Sequence, residues 1–244
     1  CSGGAMNIAE CIHGDYVPPF RMRVKTAWER YRYLSFWQKE PETIAWIQSF
    51  KDGDCLYDVG ANIGMYSLYA CRLFPNSAVV AFEPQWSNYM AATLNAALNG
   101  FDHLSVLFEG VSDHSGYSRF EYRSAEAGAS GGQVGETGYA VHIYALDDFA
   151  AMFGKPDHIK IDIDGQEAKV IEGMKGLIAD RAFKSCLIEM GKTGEEAQRI
   201  RQTFLVNGYT DQNVFNTTPD HSKFKPWRSG ENVNIENVVF TRLP

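Results

Sequence analysis

The sequence lacks the features that define several classes of protein. Its five cysteines are an odd number without a Cys-x-x-Cys pair, so neither a disulfide framework nor a zinc knuckle is expected. No apolar run approaches the ~18 residues that a membrane-spanning helix requires, and no signal peptide is apparent at the start. Positive charge is in deficit, since 23 Lys and Arg stand against 30 Asp and Glu. Because phosphate binding needs a basic surface, nucleic acid is not the expected partner.

The composition is that of a folded globular chain. Of the 244 residues, 45% are hydrophobic and 22% are charged, and a chain of this length buries roughly 70% of its unfolded surface. Cys55, Cys71 and Cys186 lie in apolar stretches and are expected to be reduced core residues, which predicts a cytoplasmic protein. Residues 1–5 resemble a cloning remnant ahead of a native Met6, and they carry no weight in the fold prediction.

Short apolar strands alternate with helical segments along most of the chain. Because strands that alternate with helices pair in parallel, we expect a mainly parallel sheet. Segments 209–214 and 237–241 are expected to close this sheet. The other predicted strands are 55–59, 78–82, 104–108, 158–163 and 185–189, and the predicted helices are a stretch ending near Phe74, 87–99, 166–178 and 194–207.

Two regions depart from this alternation. Within residues 23–50, apolar positions at helical spacings are interrupted by Pro41, which predicts two short helices. After Asp113, two hairpin-like strands flank a segment rich in Gly, Ala and Ser, at 124–138, which is either a plain surface insertion or a mobile lid over the substrate. The chain therefore divides into an N-terminal helical extension, residues 1–50, and a main domain, residues 51–244, with an insertion around 114–145.

A glycine turn follows the first predicted strand, in the segment Asp58-Val59-Gly60-Ala61-Asn62-Ile63-Gly64. A dinucleotide site has the pattern Gly-x-Gly-x-x-Gly, and Asn62 stands where its second glycine belongs. Asp58 would repel a pyrophosphate but attract a cation. S-adenosylmethionine fits better, because it carries an ammonium and a sulfonium, and its carboxylate can lie against the N-terminus of the following helix. Asn62 is also expected to cap that helix.

Glu83 ends the second predicted strand. An acidic residue about 20 residues beyond such a turn accepts the ribose hydroxyls of the bound nucleoside. The alternative is that Glu83 caps a surface turn. The turn and the acidic residue together favour a nucleoside-containing cofactor.

The segments 39–43, 58–67, 82–84, 110–113 and 159–167 resemble the FkbM-type S-adenosylmethionine-dependent methyltransferases. The resemblance implies an α/β class I methyltransferase (Rossmann-like) fold, with a mainly parallel seven-stranded sheet, helices on both faces and an antiparallel last strand. It implies O-methylation of a small-molecule or glycan acceptor, namely a saccharide, glycolipid or secondary metabolite, with S-adenosylhomocysteine as the product. The cofactor-binding residues that it implies are Asp58, Gly60, Ala61, Asn62, Gly64, Tyr66, Ser67, Glu83, Pro84, Val111, Ser112 and Asp162.

Three carboxylates are candidate catalytic residues: Asp162, Asp164 and Glu189. Lys160, Asp162 and Asp164 share one face of an extended strand, at the edge of the sheet where ligands bind in open parallel sheets. Glu189 ends the next strand. An acceptor alcohol must lose its proton, and a carboxylate in place to accept it is typically worth ~10² to 10⁴ in rate. His142 is a weaker candidate, because it alternates in a predicted hairpin strand.

Each candidate also has a structural interpretation. Asp162 can form a buried ion pair with Lys160, Asp164 and Glu167 match a capping box, and Glu189 can serve at the edge of the sheet. The FkbM-type pattern usually has Glu at position 164, so the shorter Asp164 puts its role in doubt.

Three alternatives remain open at the level of the sequence. A divalent metal ion held by Asp162, Asp164 and Glu189 could activate the acceptor, although nothing in the spacing requires a metal. An NAD(P)-dependent oxidoreductase would use the same type of turn. A non-catalytic nucleoside-binding module would keep the pocket and lack turnover.

Overall fold

The computed structural model describes residues 7–13, 17–211 and 235–244. The chain begins with an antiparallel pair of strands, β1 (Ile8–His13) and β2 (Val17–Arg23), and continues with helices α1 (Ala27–Lys39) and α2 (Pro41–Gln48). The two predicted helices are present, but the N-terminal region is not wholly helical. Thr26 and Glu29 form a capping box at the start of α1, and Pro41 occupies the first turn of α2.

The remaining elements alternate as the sequence predicts, with a break in the middle. In chain order they are β3 (Leu56–Val59), α3 (Met65–Leu73), β4 (Val79–Phe82), α4 (Trp86–Asn99), β5 (Leu104–Leu107), β6 (Gly110–Val111), β7 (Gly116–Glu121), β8 (Gln133–Gly135), β9 (Tyr139–Tyr144), α5 (Leu146–Phe153), β10 (His158–Ile161), α6 (Glu167–Glu172), α7 (Lys175–Ala179), β11 (Ser185–Gly191), α8 (Glu195–Val206), β12 (Tyr209–Thr210) and β13 (Ile235–Arg242).

Seven of these strands form the central sheet, in the spatial order β5-β4-β3-β10-β11-β13-β12. β5, β4, β3, β10 and β11 pair in parallel, whereas β13 is antiparallel to both of its neighbours. This confirms the predicted mainly parallel sheet with an antiparallel last strand. The order of strands reverses between β3 and β10, which places a crevice at their carboxyl ends.

Two hydrophobic layers cover the faces of the sheet. One contains buried residues of α1 to α4, such as Phe36, Trp46 and Leu68. The other contains buried residues of α5 to α8, such as Phe149 and Phe204. Burial on both faces explains why the parallel strands are almost continuously apolar, and it confirms that helices lie on both sides.

The insertion and the preceding strand β6 form a second sheet of four short strands, in the order β6-β9-β7-β8. β7 and β9 pair in antiparallel fashion, as the hairpin pattern predicts, and β8 adds to β7 from within the segment rich in Gly, Ala and Ser.

Two further details differ from the sequence prediction. The helix predicted at 166–178 is divided into α6 and α7 near Gly173, where a Cβ would collide with the backbone oxygen of Ser112. Helix α5 was not predicted. Residues 212–214 of the predicted strand 209–214, and residues 1–5, lie outside the described residues.

Candidate active site

A cavity of about 950 Å³ lies at the carboxyl ends of β3, β4, β10 and β11. It has a strongly acidic lining, because eight carboxylates and four basic side chains border it. The predicted site residues that border it are Gly60, Ala61, Asn62, Tyr66, Glu83, Pro84, Val111, Asp162, Asp164 and Glu189. The predicted residues that lie away from its lining are Asp58, Gly64, Ser67 and Ser112.

The glycine turn brings β3 against β10. Gly60 has a φ of 80°, and a Cβ there would collide with the backbone oxygen of Asp162, so only glycine permits this packing. Asn62 also has a positive φ, of 53°. Its amide donates to the backbone oxygen of Ala129 at 2.7 Å, and its side-chain oxygen accepts from Ile63 N at 2.9 Å. The prediction that Asn62 caps α3 is therefore wrong, because Gly64 is the N-cap residue and no side chain caps this helix.

Asp58 does not face the cavity as the sequence prediction required. Its side chain is fully buried, and one carboxylate oxygen accepts a 2.6 Å hydrogen bond from the Ser67 hydroxyl. The other oxygen has no hydrogen-bond partner in the described chain and lies 3.9 Å from Lys160 Nζ. Burial raises the pKa of Asp58, and Lys160 opposes that shift. Asp58 thus lies behind the cavity and supports Lys160.

Lys160 and Asp162 form the ion pair that the sequence allowed as the structural role of Asp162. Their atoms are 2.9 Å apart, and the lysine is almost completely buried. Burial opposes ionisation of Asp162, but Lys160 and Lys39 outweigh it and hold the pKa of that carboxyl well below its usual range. Because Asp162 also borders the cavity, pairing with Lys160 keeps a fixed negative charge there.

Glu83 lies at the opposite side of the turn. Its two carboxylate oxygens accept from the backbone N–H groups of Asn62 at 2.7 Å and Gln85 at 2.8 Å. Only 5% of the residue is exposed, and this burial raises the pKa of Glu83 to about 7, against the effect of the two hydrogen bonds. The backbone at residues 62 and 85 therefore fixes the position and orientation of this carboxylate beside the cavity.

Glu189 has the opposite electrostatic environment from Asp162. The negative charge of Asp162, followed by burial, raises the pKa of Glu189 well above its usual value, while Lys39 counteracts this effect. Among the three candidate catalytic residues, Glu189 is thus the one whose charged form its surroundings disfavour.

Residues before the glycine turn contribute to the site, and the sequence prediction did not assign roles to them. Lys39 and Glu40 form an ion pair at the end of α1, and Glu40 accepts a 2.8 Å hydrogen bond from the Tyr66 hydroxyl. Burial disfavours the charge on Lys39, yet Glu40, Glu189 and Asp162 together raise its pKa. In the sequence, only the family resemblance of the segment 39–43 points to these two residues, and it does not assign a role to either.

The insertion contacts the cavity through its segment of small residues. Asp164 accepts from the backbone N–H of Gly131 at 2.6 Å, and Arg32 Nε donates to the backbone oxygen of Gly128 at 2.6 Å. The N-cap of α6 is Gln166 without a side-chain cap, so Asp164 does not form the predicted capping box. Asp164 instead fastens the insertion to the end of β10.

His142 and the metal hypothesis receive no structural support. His142 lies 2.9 Å from Glu109 on the insertion sheet and does not border the cavity. Within residues 7–13, 17–211 and 235–244, no group of three or more His, Cys, Asp or Glu side chains is placed to hold a metal ion. In the same residues, no helix combines the length and apolar character needed to cross a membrane.

Comparison with known proteins identifies relatives. Residues 58–210 match the model of the methyltransferase FkbM domain. The chain is 24% identical to hexuronic acid methyltransferase AglP of Haloferax volcanii, over 63% of this chain and 64% of that protein. It is 27% identical to methyltransferase sdnD of Sordaria araneosa, over 52% of this chain and 63% of that protein. The chain thus spans less than two thirds of the length of these curated relatives.

A solved structure shares the fold. The crystal structure of magnesium protoporphyrin IX methyltransferase (ChlM) from Synechocystis PCC 6803 with bound SAM matches with a TM-score of 0.52 and 12% identity. The match covers 90% of this chain and 86% of that chain. The fold is therefore that of class I methyltransferases, as the sequence predicts.

Proposed function

Because the chain belongs to the FkbM family of methyltransferases, we propose that it transfers a methyl group from S-adenosylmethionine to a hydroxyl group. The acceptor is a saccharide, glycolipid or secondary metabolite, and a sugar is favoured because one relative is named as a hexuronic acid methyltransferase. The observation that carries the proposal is the acidic cavity bordered by Glu83, Asp162 and Glu189. The matched relatives give no support to the oxidoreductase alternative.

The residues of the cavity fit S-adenosylmethionine. Glu83 has two oxygens held at the end of β4, where the ribose hydroxyls of a nucleoside are accepted. Asp162 and Glu40 provide negative charge for the ammonium and sulfonium groups. The start of α3, which has no side-chain cap, offers backbone N–H groups to a carboxylate. Asp58 and Ser67 act from behind, by holding Lys160 and the turn.

Glu189 is proposed as the general base. When bound, the cofactor supplies an electrophilic methyl group with a neutral leaving group, so alignment is the main requirement. Glu189 borders the cavity from β11 and accepts the proton from the acceptor hydroxyl, and Asp162 and burial raise its pKa and so its proton affinity. Asp162 is a poorer base, since Lys160 and Lys39 hold its pKa low. Asp164 is already bonded to Gly131.

Transfer of a labelled methyl group to acceptors tests this proposal. We expect incorporation into saccharides that carry uronic acids, with and without a chelator. The product should be an ether that resists mild base, which distinguishes it from a methyl ester. Tight binding of the cofactor without transfer to any of a broad panel of acceptors would favour the non-catalytic module instead, and loss of activity with the chelator would restore the metal hypothesis.

A further inference from the structure

Glu42 is a buried carboxylate that borders the cavity, and it lies in the segment 39–43 of the family resemblance, which assigned it no role. It lies on α2 and is only 8% exposed. One oxygen accepts a 2.8 Å hydrogen bond from the side-chain amide of Asn237, on β13. The other oxygen, Oε2, has no hydrogen-bond partner within the described chain. An unsatisfied buried carboxylate oxygen is costly, so its retention beside a cavity indicates a ligand group.

The position of Glu42 connects it with the proposed base. Asn237 lies directly opposite Glu189 in the pairing of β13 with β11. Side chains of such pairs lie on the same face of a sheet, with Cβ atoms about 5 Å apart. Glu189, Asn237 and Glu42 therefore form a row along one wall of the cavity, which all three border. Asn237 thus lies between Glu42 and the proposed base, because it is hydrogen-bonded to Glu42 and paired with Glu189.

We propose that Glu42, oriented by Asn237, binds a second hydroxyl of the acceptor, next to the one that is methylated. This inference rests on the proposed function and specifies its acceptor as a polyhydroxylated ring with neighbouring hydroxyls. Glu42 Oε2 accepts the hydrogen bond of the second hydroxyl, while the first lies against Glu189. A phenol or an isolated alcohol would leave Glu42 Oε2 unsatisfied, so the site selects sugars by their adjacent hydroxyl groups.

A hydroxyl suits this position better than an ammonium group. Both could bind a carboxylate, but a hydroxyl also pairs with the uncharged form, whereas an ammonium group needs the charged form. Burial raises the pKa of Glu42, with Asn237 acting against the shift, so the surroundings disfavour the charged form. A neutral donor satisfies Glu42 without changing the charge of the wall.

The Glu42→Gln variant tests the proposal, with Glu195→Gln on the exposed surface of α8 as the matched control. Glu42→Gln keeps the size of the side chain and removes an unsatisfied buried charge, so its melting temperature should not fall. With methyl glucuronoside as the acceptor, we expect kcat/KM to fall about 10- to 100-fold, the range for loss of a hydrogen bond to a charged group. Affinity for S-adenosylhomocysteine should change less than twofold.

Deoxy analogues of the same glucuronoside, each lacking one ring hydroxyl, identify the group that Glu42 binds. With one of these analogues, the kcat/KM of the parent should fall to the value that Glu42→Gln has with the full sugar. The variant should use that analogue and the full sugar equally well. Equal losses of cofactor affinity and of acceptor activity in Glu42→Gln would assign Glu42 to the cofactor instead. An unchanged kcat/KM in Glu42→Gln would overturn the proposal. A higher kcat/KM of the parent for glucosamine than for neutral glucose, lost in Glu42→Gln, would also overturn it.

A binding measurement separates this inference from the proposed function. The chain loaded with S-adenosylhomocysteine is titrated with methyl glucuronoside, for the parent and for Glu42→Gln. If the parent binds the sugar and the variant binds it at least tenfold more weakly, Glu42 binds the acceptor even if no methyl transfer is detected. If the parent binds neither this sugar nor its neutral glucoside, the proposal is wrong. If the sugar binds but no methyl group is transferred, the proposed methyl transfer is wrong and the binding role of Glu42 still holds.

Discussion

The two ends of the parallel strands both bury polar side chains, but they satisfy them differently. At the amino end, His158 lies 2.8 Å from the Ser185 hydroxyl and 3.0 Å from Asp54, and Trp46 donates to Ser185 at 2.8 Å. The ring of Phe50 is stacked on His158 at 3.7 Å. None of these groups is among the buried side-chain atoms without a partner in the described chain. We call this the amino-end cluster.

At the carboxyl end, two buried carboxylate oxygens have no hydrogen-bond partner within the described residues. They belong to Asp58 and Glu42, and the pKa of Glu189 is raised by the nearby charge of Asp162. Asp58 lies behind the cavity and is offset by Lys160, whereas Glu42 borders the cavity, so the unpaired oxygen of Glu42 is the one that indicates a ligand site. Burial of ionisable residues alone therefore does not identify an active site. The candidate active site differs from the amino end by an unpaired buried carboxylate oxygen beside its cavity.

The largest expected effect is on turnover at the carboxyl end. Glu189→Gln should lower kcat by about 10² to 10⁴, because it removes the proton acceptor. Its thermal stability should be equal to or above that of the parent, since repulsion from Asp162 is relieved. Initial rates with a saturating acceptor measure the effect. A rate within threefold of the parent would show that Glu189 is not the general base and would favour Asp162 or Asp164.

The second prediction concerns stability at the same end. Lys160→Met leaves the buried Asp58 and the half-buried Asp162 without their shared cation, and breaking a buried pair in this way costs about 3 to 5 kcal/mol. Urea unfolding measures the loss. Adding Asp58→Asn to this variant should recover part of it. A loss below about 1 kcal/mol in Lys160→Met alone would show that the charges at this end are not coupled as described.

The amino-end cluster should affect stability without affecting function. Ser185→Ala removes the partner of both Trp46 and His158, and leaving such buried groups unsatisfied costs about 1 to 3 kcal/mol. Binding of S-adenosylhomocysteine and the rate of methyl transfer, measured well below the melting temperature, should remain at the parent values. A tenfold loss of activity in the folded variant would show that the amino-end cluster also affects function, contrary to this prediction.

The smallest effect is a pH dependence of stability at the amino end. Burial lowers the pKa of His158, although Asp54 acts in the opposite direction. The unfolded chain therefore takes up this proton first as the pH falls through about 6.5, so the stability that neutral His158 contributes is present above that pH and declines below it. Melting temperatures from pH 8 to pH 5 should decline less in His158→Gln than in the parent. Parallel profiles would exclude a contribution from this imidazole.

The parts of the site that follow strand ends in a fixed order were predictable from the sequence. Gly60 and Glu83 belong to local segments whose spacing is set by the strand, turn and helix. The same local rules misplaced Asp58, which faces Ser67 of α3 and not the cavity. They also misassigned Asn62, because its positive φ turns its side chain toward Ala129 in the insertion.

The acceptor side was not predictable, because its contacts are distant in sequence. Glu42 meets Asn237 across 195 positions, and both come from elements that no motif connects. Lys39 reaches the site only because α1 packs over the cavity. Such contacts arise from tertiary packing, and hydrophobic periodicity and turn residues do not predict contacts between residues that are distant in sequence.

Calorimetric titration with S-adenosylhomocysteine tests the central claim most directly, which is that the acidic cavity at the carboxyl end holds the methyl donor. We expect saturable binding of one molecule per chain, weakened about 5- to 150-fold in Glu83→Ala by loss of ribose hydrogen bonds of ~1 to 3 kcal/mol. Ser185→Ala should bind as the parent does. Heat of binding with NADH but not with S-adenosylhomocysteine, or equal affinity in Glu83→Ala, would contradict the account.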